Sequence, residues 1–152
     1  AEGLIDGFTV RVPMVDVTAI GSGGGSLAWI DAAGSLRVGP ESAGSEPGPA
    51  CYGRGGTRAT VTDASVVLGY IDPASFAGGT MRLDPALAEG AVKREVADRL
   101  GMDLARAALG IHRVLNAQMA EAIRLVSIGR GIDPRGYALL PLVNAQDGGD
   151  RL

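Results

Sequence analysis

Cysteine, tryptophan and histidine occur once each in the 152 residues. A single Cys51 excludes an intramolecular disulfide, so packing alone must hold the chain, and this fits a reducing, cytoplasmic setting. Aromatics make up only 4% of the chain, so Ala, Val, Leu and Ile must supply the core. Basic residues do not exceed acidic ones: 14 stand against 17, for a net charge of −3. No basic field exists to hold a nucleic-acid backbone. No apolar run reaches the roughly 18 residues of a membrane span. The start, Ala1-Glu2-Gly3-Leu4, lacks the basic opening and apolar centre of a signal peptide. It also lacks an initiator Met, and the expectation is a chain that begins mid-protein.

Glycine is what the chain has in excess. It takes 24 positions, roughly twice the usual share of about 7%. Four glycines fall in the five positions 21–25, between the apolar runs Val15–Ile20 and Leu27–Asp31. Each run is rich in β-branched or bulky residues and reads as a strand. The cluster Gly21-Ser22-Gly23-Gly24-Gly25-Ser26 leaves bare amides that a phosphate, a carboxylate or another backbone can approach. It is close to a dinucleotide fingerprint, but Ser26 stands at the third glycine and a strand-like run follows where a helix is required. A Walker loop is excluded because no Gly-Lys-Ser/Thr follows. A hairpin loop packed for its own sake remains the plain alternative to a ligand loop.

The elements follow in order. Gly7–Pro13 reads as a short strand stopped by proline. Leu36–Val38 returns from the Ala32–Ser35 turn, so the first part is a β-meander. Residues 39–58 carry three prolines and six glycines and read as a long loop. A short helix follows Thr60, with Thr62 or Asp63 as its cap and Gly69 as its stop. Asp84-Pro85 opens a second helix, whose stripe is Ala88, Ala91, Val92, Val96 and Leu100 and whose end is Gly101. Asp103 opens the longest helix, which Gly129-Arg130-Gly131 ends. Tyr137–Val143 resembles a buried strand. Residues 1–143 form one domain and 144–152 a loose tail. Strands, then helices, then a strand argue an α/β or α+β class.

Few residues carry chemistry. Asp63 as a cap contributes about 1 kcal/mol; as a site residue it would orient a metal-bound water, and the cap is the favoured reading. Cys51 reads as a packed thiol and His112 as a helix-surface or interface residue, with a Cys51–His112 nucleophile pair the lesser alternative. One His and one Cys are too few for a metal, although Asp16, Asp31 and Asp63 could lend oxygens, and the identity of any metal is unknown. Arg130 and Arg135 complement a helix C-terminus or clamp an anion.

The chain also resembles a family. Val15-Asp16-Val17 running into Gly21–Asp31 is similar to hydantoinase A and to the related oxoprolinase and acetone-carboxylase subunits. So are Val38-Gly39-Pro40-Glu41-Ser42-Ala43-Gly44-Ser45-Glu46-Pro47-Gly48-Pro49-Ala50-Cys51-Tyr52-Gly53, Thr60-Val61-Thr62-Asp63-Ala64, Leu68-Gly69, Gly78-Gly79, Met119–Arg124 and Arg130–Arg135. The resemblance implies a partial actin-like (ribonuclease H-like) ATPase fold, a short β-meander followed by helices. It implies ATP with Mg²⁺, a cyclic amide substrate such as a hydantoin or 5-oxoproline (or a ketone to be carboxylated), and a second, hydantoinase B-like subunit. Asp63 would be catalytic, and Gly21, Ser22, Gly23, Gly24, Gly25 and Ser26 would line the nucleotide or substrate cleft. Three departures accompany it. The chain is short and lacks the upstream phosphate loops, so a central fragment, inactive alone, is expected. Thr18 stands where many members carry His. Leu142–Gly149 replaces the terminal glycine-rich loop. The reading from another class is a non-catalytic subunit-docking module.

Overall fold

The computed structural model describes residues 3–5, 8–10 and 21–138. The expected strand Val15–Ile20, with Asp16 and Thr18, lies outside them, as do most of Tyr137–Val143 and the tail.

Strand β1 (Gly3–Ile5) pairs antiparallel with β2 (Phe8–Val10), and β3 (Ser26–Ile30) pairs antiparallel with β4 (Leu36–Ser42). Among the described residues these are two two-stranded ladders, and the strand expected between them lies outside the described residues. The β3–β4 hairpin turns at Asp31, whose carboxylate accepts the amides of Ala33 at 3.0 Å and Ser35 at 2.8 Å. This Asx-type capping adds to the backbone bonds of the same turn, Asp31 N–H to Ser35 O at 3.0 Å and Gly34 N–H to Asp31 O at 2.9 Å. Gly39 has φ +65°, and β4 continues past it to Ser42, four residues beyond the expected end at Val38. A register shift between Ser26 and Ala28 absorbs the irregularity.

The loop after β4 contains a short 3₁₀ turn at Ala50–Tyr52, against the expectation that no helix survives there. Helix α1 (Val61–Val67) begins at Thr60, not at Thr62 or Asp63. The correction has a plain cause. Thr60 Oγ1 accepts the Asp63 amide while Asp63 accepts the Thr60 amide, a reciprocal capping box with the acid at the third helical position.

Helix α2 (Pro85–Val92) starts where Asp84 accepts the amides of Ala86 and Leu87, with Pro85 in the first turn. It passes through a π-helical segment, Lys93–Ala97, into α3 (Asp98–Leu100), and ends at left-handed Gly101. Helix α4 (Leu104–Ile128) starts at Asp103, which accepts the Arg106 amide. The main core joins these elements. Ala28 and Val38 from the hairpin meet Val61 and Ala64 of α1, Ala91 and Val92 of α2, Val96 of the π segment, and Ala107, Ala108, Ile111 and Leu115 of α4. Small side chains dominate, so helices approach closely and little volume is left unfilled. The described residues of α4 that are fully buried all lie in its first half.

Candidate functional site

The glycine cluster lies across the N-terminal end of α1. Gly24 O accepts the Thr62 amide at 2.8 Å, and Gly25 O accepts the Ala43 amide at 2.9 Å. Inside the cluster Ser26 Oγ accepts the Gly23 amide at 2.9 Å, and the Ser26 amide returns to Gly23 O at 3.1 Å. A Cβ on Gly24 would sit 2.7 Å from Thr62 Oγ1, and one on Gly25 would sit 2.8 Å from Ser42 Oγ. Gly21, Gly23 and Gly24 nevertheless face solvent. The cluster is thus fastened on its inner side and open on its outer side. Two of the cluster's amides, those of Gly23 and Ser26, are taken up within the cluster itself.

Beside it lies an open cleft of ≈ 440 Å³, lined by Gly21, Ser22, Trp29, Arg37, Val38, Gly39, Pro40 and Gln118. Trp29 and Arg37 are directly opposed in the β3–β4 ladder, which sets them side by side on one face. Trp29 Nε1 donates to Gly39 O at 3.0 Å, fixing the indole. Arg37 Nε pairs with Asp31 at 2.7 Å. The Ser35 amide, and after it the Arg37 guanidinium, hold the Asp31 carboxyl below the usual carboxylate range. Trp29, Arg37 and Gln118 were not singled out from the sequence. The alternation that makes β3 and β4 strands, with their short turn, was the signal that pairs Trp29 with Arg37.

Asp63 is fully buried. One oxygen accepts the Cys51 amide at 2.8 Å. The other accepts the Thr60 amide at 2.9 Å and the Thr60 hydroxyl at 2.8 Å, with the Ala50 amide at 3.3 Å. A buried carboxylate without a cation is tolerable when several donors and a helix N-terminus face it. Both oxygens are taken up by these buried donors. Its carboxylate ties the 3₁₀ turn to α1, and α1 in turn holds Gly24.

The other candidates separate. Cys51 is buried, and burial, with the facing Asp63 carboxylate, pushes its thiol up, far from a thiolate nucleophile. His112 lies on α4, its Nε2 3.0 Å from Ser65 Oγ, with the Tyr70 ring edge-on at 5.2 Å. Ser65 Oγ donates to Val61 O at 2.9 Å, which makes the His112 Nε2–H the donor to Ser65. Burial lowers the His112 pKa from 6.5. Cys51 and His112 therefore engage different partners: the thiol is packed in the core, and the imidazole sits half-buried against Ser65 and Tyr70. Arg135 turns back on Asp133 at 2.7 Å. Among the described residues no group of three or more His, Cys, Asp or Glu could hold a metal. Asp31 and Asp63 are committed elsewhere, and Asp16 lies outside the described residues. No helix among the described residues is long and apolar enough to cross a membrane.

The hydantoinase/oxoprolinase family model matches residues 1–142. The chain belongs to the hydantoinase/oxoprolinase family. The alpha subunit of caprolactamase from Pseudomonas jessenii is 47% identical over 133 residues, covering 88% of this chain and 19% of that protein. The gamma subunit of acetophenone carboxylase from Aromatoleum aromaticum is 47% identical over 137 residues, covering 90% and 19%. A nucleotide-free structure of acetone carboxylase, described for ATP-dependent acetone carboxylation, has a TM-score of 0.75 at 30% identity, covering 88% of this chain and 19% of that one. The crystal structure of the ATP-dependent caprolactamase from Pseudomonas jessenii has a TM-score of 0.73 at 48% identity, covering 84% and 18%. The chain thus spans about a fifth of the length of these relatives. Their fold agreement extends to a mixed α/β architecture.

Proposed function

We propose that this hydantoinase/oxoprolinase-family chain is a portion of an ATP-dependent enzyme that opens a small cyclic amide. In this reading the actin-like ATPase fold is present in part, and the Gly21–Ser26 loop forms one wall of the nucleotide or substrate cleft. The observation that carries it is the coincidence of two things. The family match runs through the glycine cluster, and that cluster contributes Gly21 and Ser22 to the lining of a cleft of ≈ 440 Å³.

The residues fit part of what the family implies. Gly21 and Ser22 bring backbone to the cleft without bulky side chains, and Arg37 adds a guanidinium to the same lining. Both suit phosphate or carboxylate oxygens. When bound, ATP supplies a phosphoryl group that turns an amide oxygen into a better leaving group. The described residues offer no acidic cluster for Mg²⁺, so no step is assigned to that ion.

This chain's own contribution is placement. Trp29 gives the cleft an apolar floor, fixed by its bond to Gly39 O. Thr62 holds Gly24, and Asp63 holds the α1 terminus from which Thr62 projects. Asp63 is on this account a positioning residue, in place of the catalytic role expected of it.

A second reading has its own support. Ile123, Leu125, Ile128, Ile132 and Tyr137 are exposed along the second half of α4 and the segment after it. Relatives are named as alpha, beta and gamma subunits. A docking module for the remainder of a larger assembly, including a hydantoinase B-like partner, would use such a face. Hydantoin- or 5-oxoproline-dependent release of ADP, measured on the subunit at the length of its relatives, separates the readings. Release that falls selectively with Gly23→Ala supports the enzyme reading. Release indifferent to every change in the cluster supports the docking module.

A further inference from the structure

Gln118 projects from α4 between the two walls of the cleft. Its Nε2 donates to Val38 O of β4 at 3.0 Å, across 80 residues of sequence. Its Oε1 faces Ser22 Oγ of the glycine cluster at 3.4 Å, across 96 residues. The second contact is long for an O–H···O bond, so the first is the firm end of the link. At the same place the two walls come close enough that a side chain on Gly39 would touch the cluster. Gly39 adopts φ +65°, and a Cβ there would lie 3.5 Å from Gly21 O. β4 and the cluster therefore approach each other at Gly39 and Gly21 and are spanned by the Gln118 carboxamide.

We propose that Gln118 is a positioning residue that clamps the Gly21–Ser26 loop to β4 and so sets the spacing between Ser22 and Arg37 across the cleft. The placement of the clamp is independent of what the cleft binds, but its consequence for a ligand rests on the reading given under Proposed function. A carboxamide suits the task because it holds a donor group and an acceptor group at fixed separation, without charge. α4 suits it as an anchor because its first half is buried in the core, including Leu115 one turn before Gln118.

Amide hydrogen exchange on the ligand-free chain tests the clamp. The amides to follow are Gly23, Ser26 and Thr62, which bond within the cluster or to it. Leu68 and Ala107, which bond inside α1 and at the start of α4, serve as controls. Gln118→Ala and Gln118→Met are expected to speed exchange at the three cluster amides about tenfold or more, with the controls unchanged. Met keeps the reach of the side chain but neither hydrogen bond, so a wild-type pattern in Gln118→Met would overturn the proposal. Ser22→Ala should add nothing further in the Gln118→Ala background, and full additivity of the two would also count against it.

A titration with MgATP of the subunit at the length of its relatives then reads the consequence. KM for ATP should rise severalfold in Gln118→Met with kcat within about twofold. Faster cluster exchange together with an absence of any ATP dependence in the unaltered protein would uphold the clamp and defeat the nucleotide reading alone.

Discussion

The carboxylate of Asp63 accepts the backbone N–H of Cys51 at 2.8 Å, joining two segments twelve residues apart. Thr60 supplies two more donors to the same side chain. Every one of these donors is buried, so removing the acceptor leaves them without water to replace it. Asp63→Ala should therefore lower stability by about 3–5 kcal/mol in urea unfolding. Asp63→Asn should cost about 2–3 kcal/mol, because an amide turns one oxygen and one N–H₂ toward a set of donors. A wild-type midpoint for either variant would contradict the anchoring role.

The cluster glycines should divide sharply. Gly24→Ala places a methyl 2.7 Å from Thr62 Oγ1, a short and buried side chain with little room to yield. It should cost about 1–3 kcal/mol, and Thr62→Ala in the same chain should return most of that. Gly23 has no neighbour within 4 Å of its added Cβ and no positive φ. Gly23→Ala should stay within about 0.5 kcal/mol of wild type. Thermal unfolding of the three variants checks the pattern.

Cys51 should resist modification in the folded chain. Its thiol is fully buried and held protonated by burial and by the carboxylate of Asp63. Reaction with a disulfide reagent should run roughly a thousandfold slower than with an exposed thiol, and should become fast on unfolding. Rapid reaction under native conditions would show a thiol more open than the structure gives.

The only histidine supplies a pH signature. His112 has its pKa lowered by burial, so the fold favours the neutral ring and the unfolded chain binds the extra proton. Its contribution is fully present above the unfolded value near 6.5 and is lost as pH falls through that value toward the folded one. Stability measured between pH 7 and 5 should decline, and His112→Asn should flatten the decline. An unchanged slope in that variant would assign the effect to other groups.

Local chemistry was readable where it was self-contained. Asp84-Pro85, Asp103 and Gly101 mark helix ends because cap and stop residues act on their own neighbours. The β3–β4 hairpin was readable from two alternating runs and a polar turn. What escaped depended on distant partners. Thr60 is the cap because Asp63 answers it, yet Asp63 is shared with Ala50 and Cys51, which no spacing announces. β4 runs on to Ser42 because Gly25 and Ala43 bond across the gap, overriding the glycine and proline that suggested a stop. The buried strand expected from Tyr137 is corrected at its start, where Tyr137 is 70% exposed after a 3₁₀ turn. The cleft itself depends on α4 bringing Gln118 to residues some ninety positions earlier, a relation of packing rather than of pattern.

The most direct test compares wild type with Gly23→Ala in the subunit at the length of its relatives, following 5-oxoproline- or hydantoin-stimulated ADP release. The account predicts unchanged folding stability, since the added methyl meets no protein atom within 4 Å, and a fall of about tenfold or more in kcat/KM for ATP, since in the proposed reading the loop lies against ligand. Unchanged kcat/KM with unchanged stability would contradict it, and would return the glycine loop to a purely structural part in the fold.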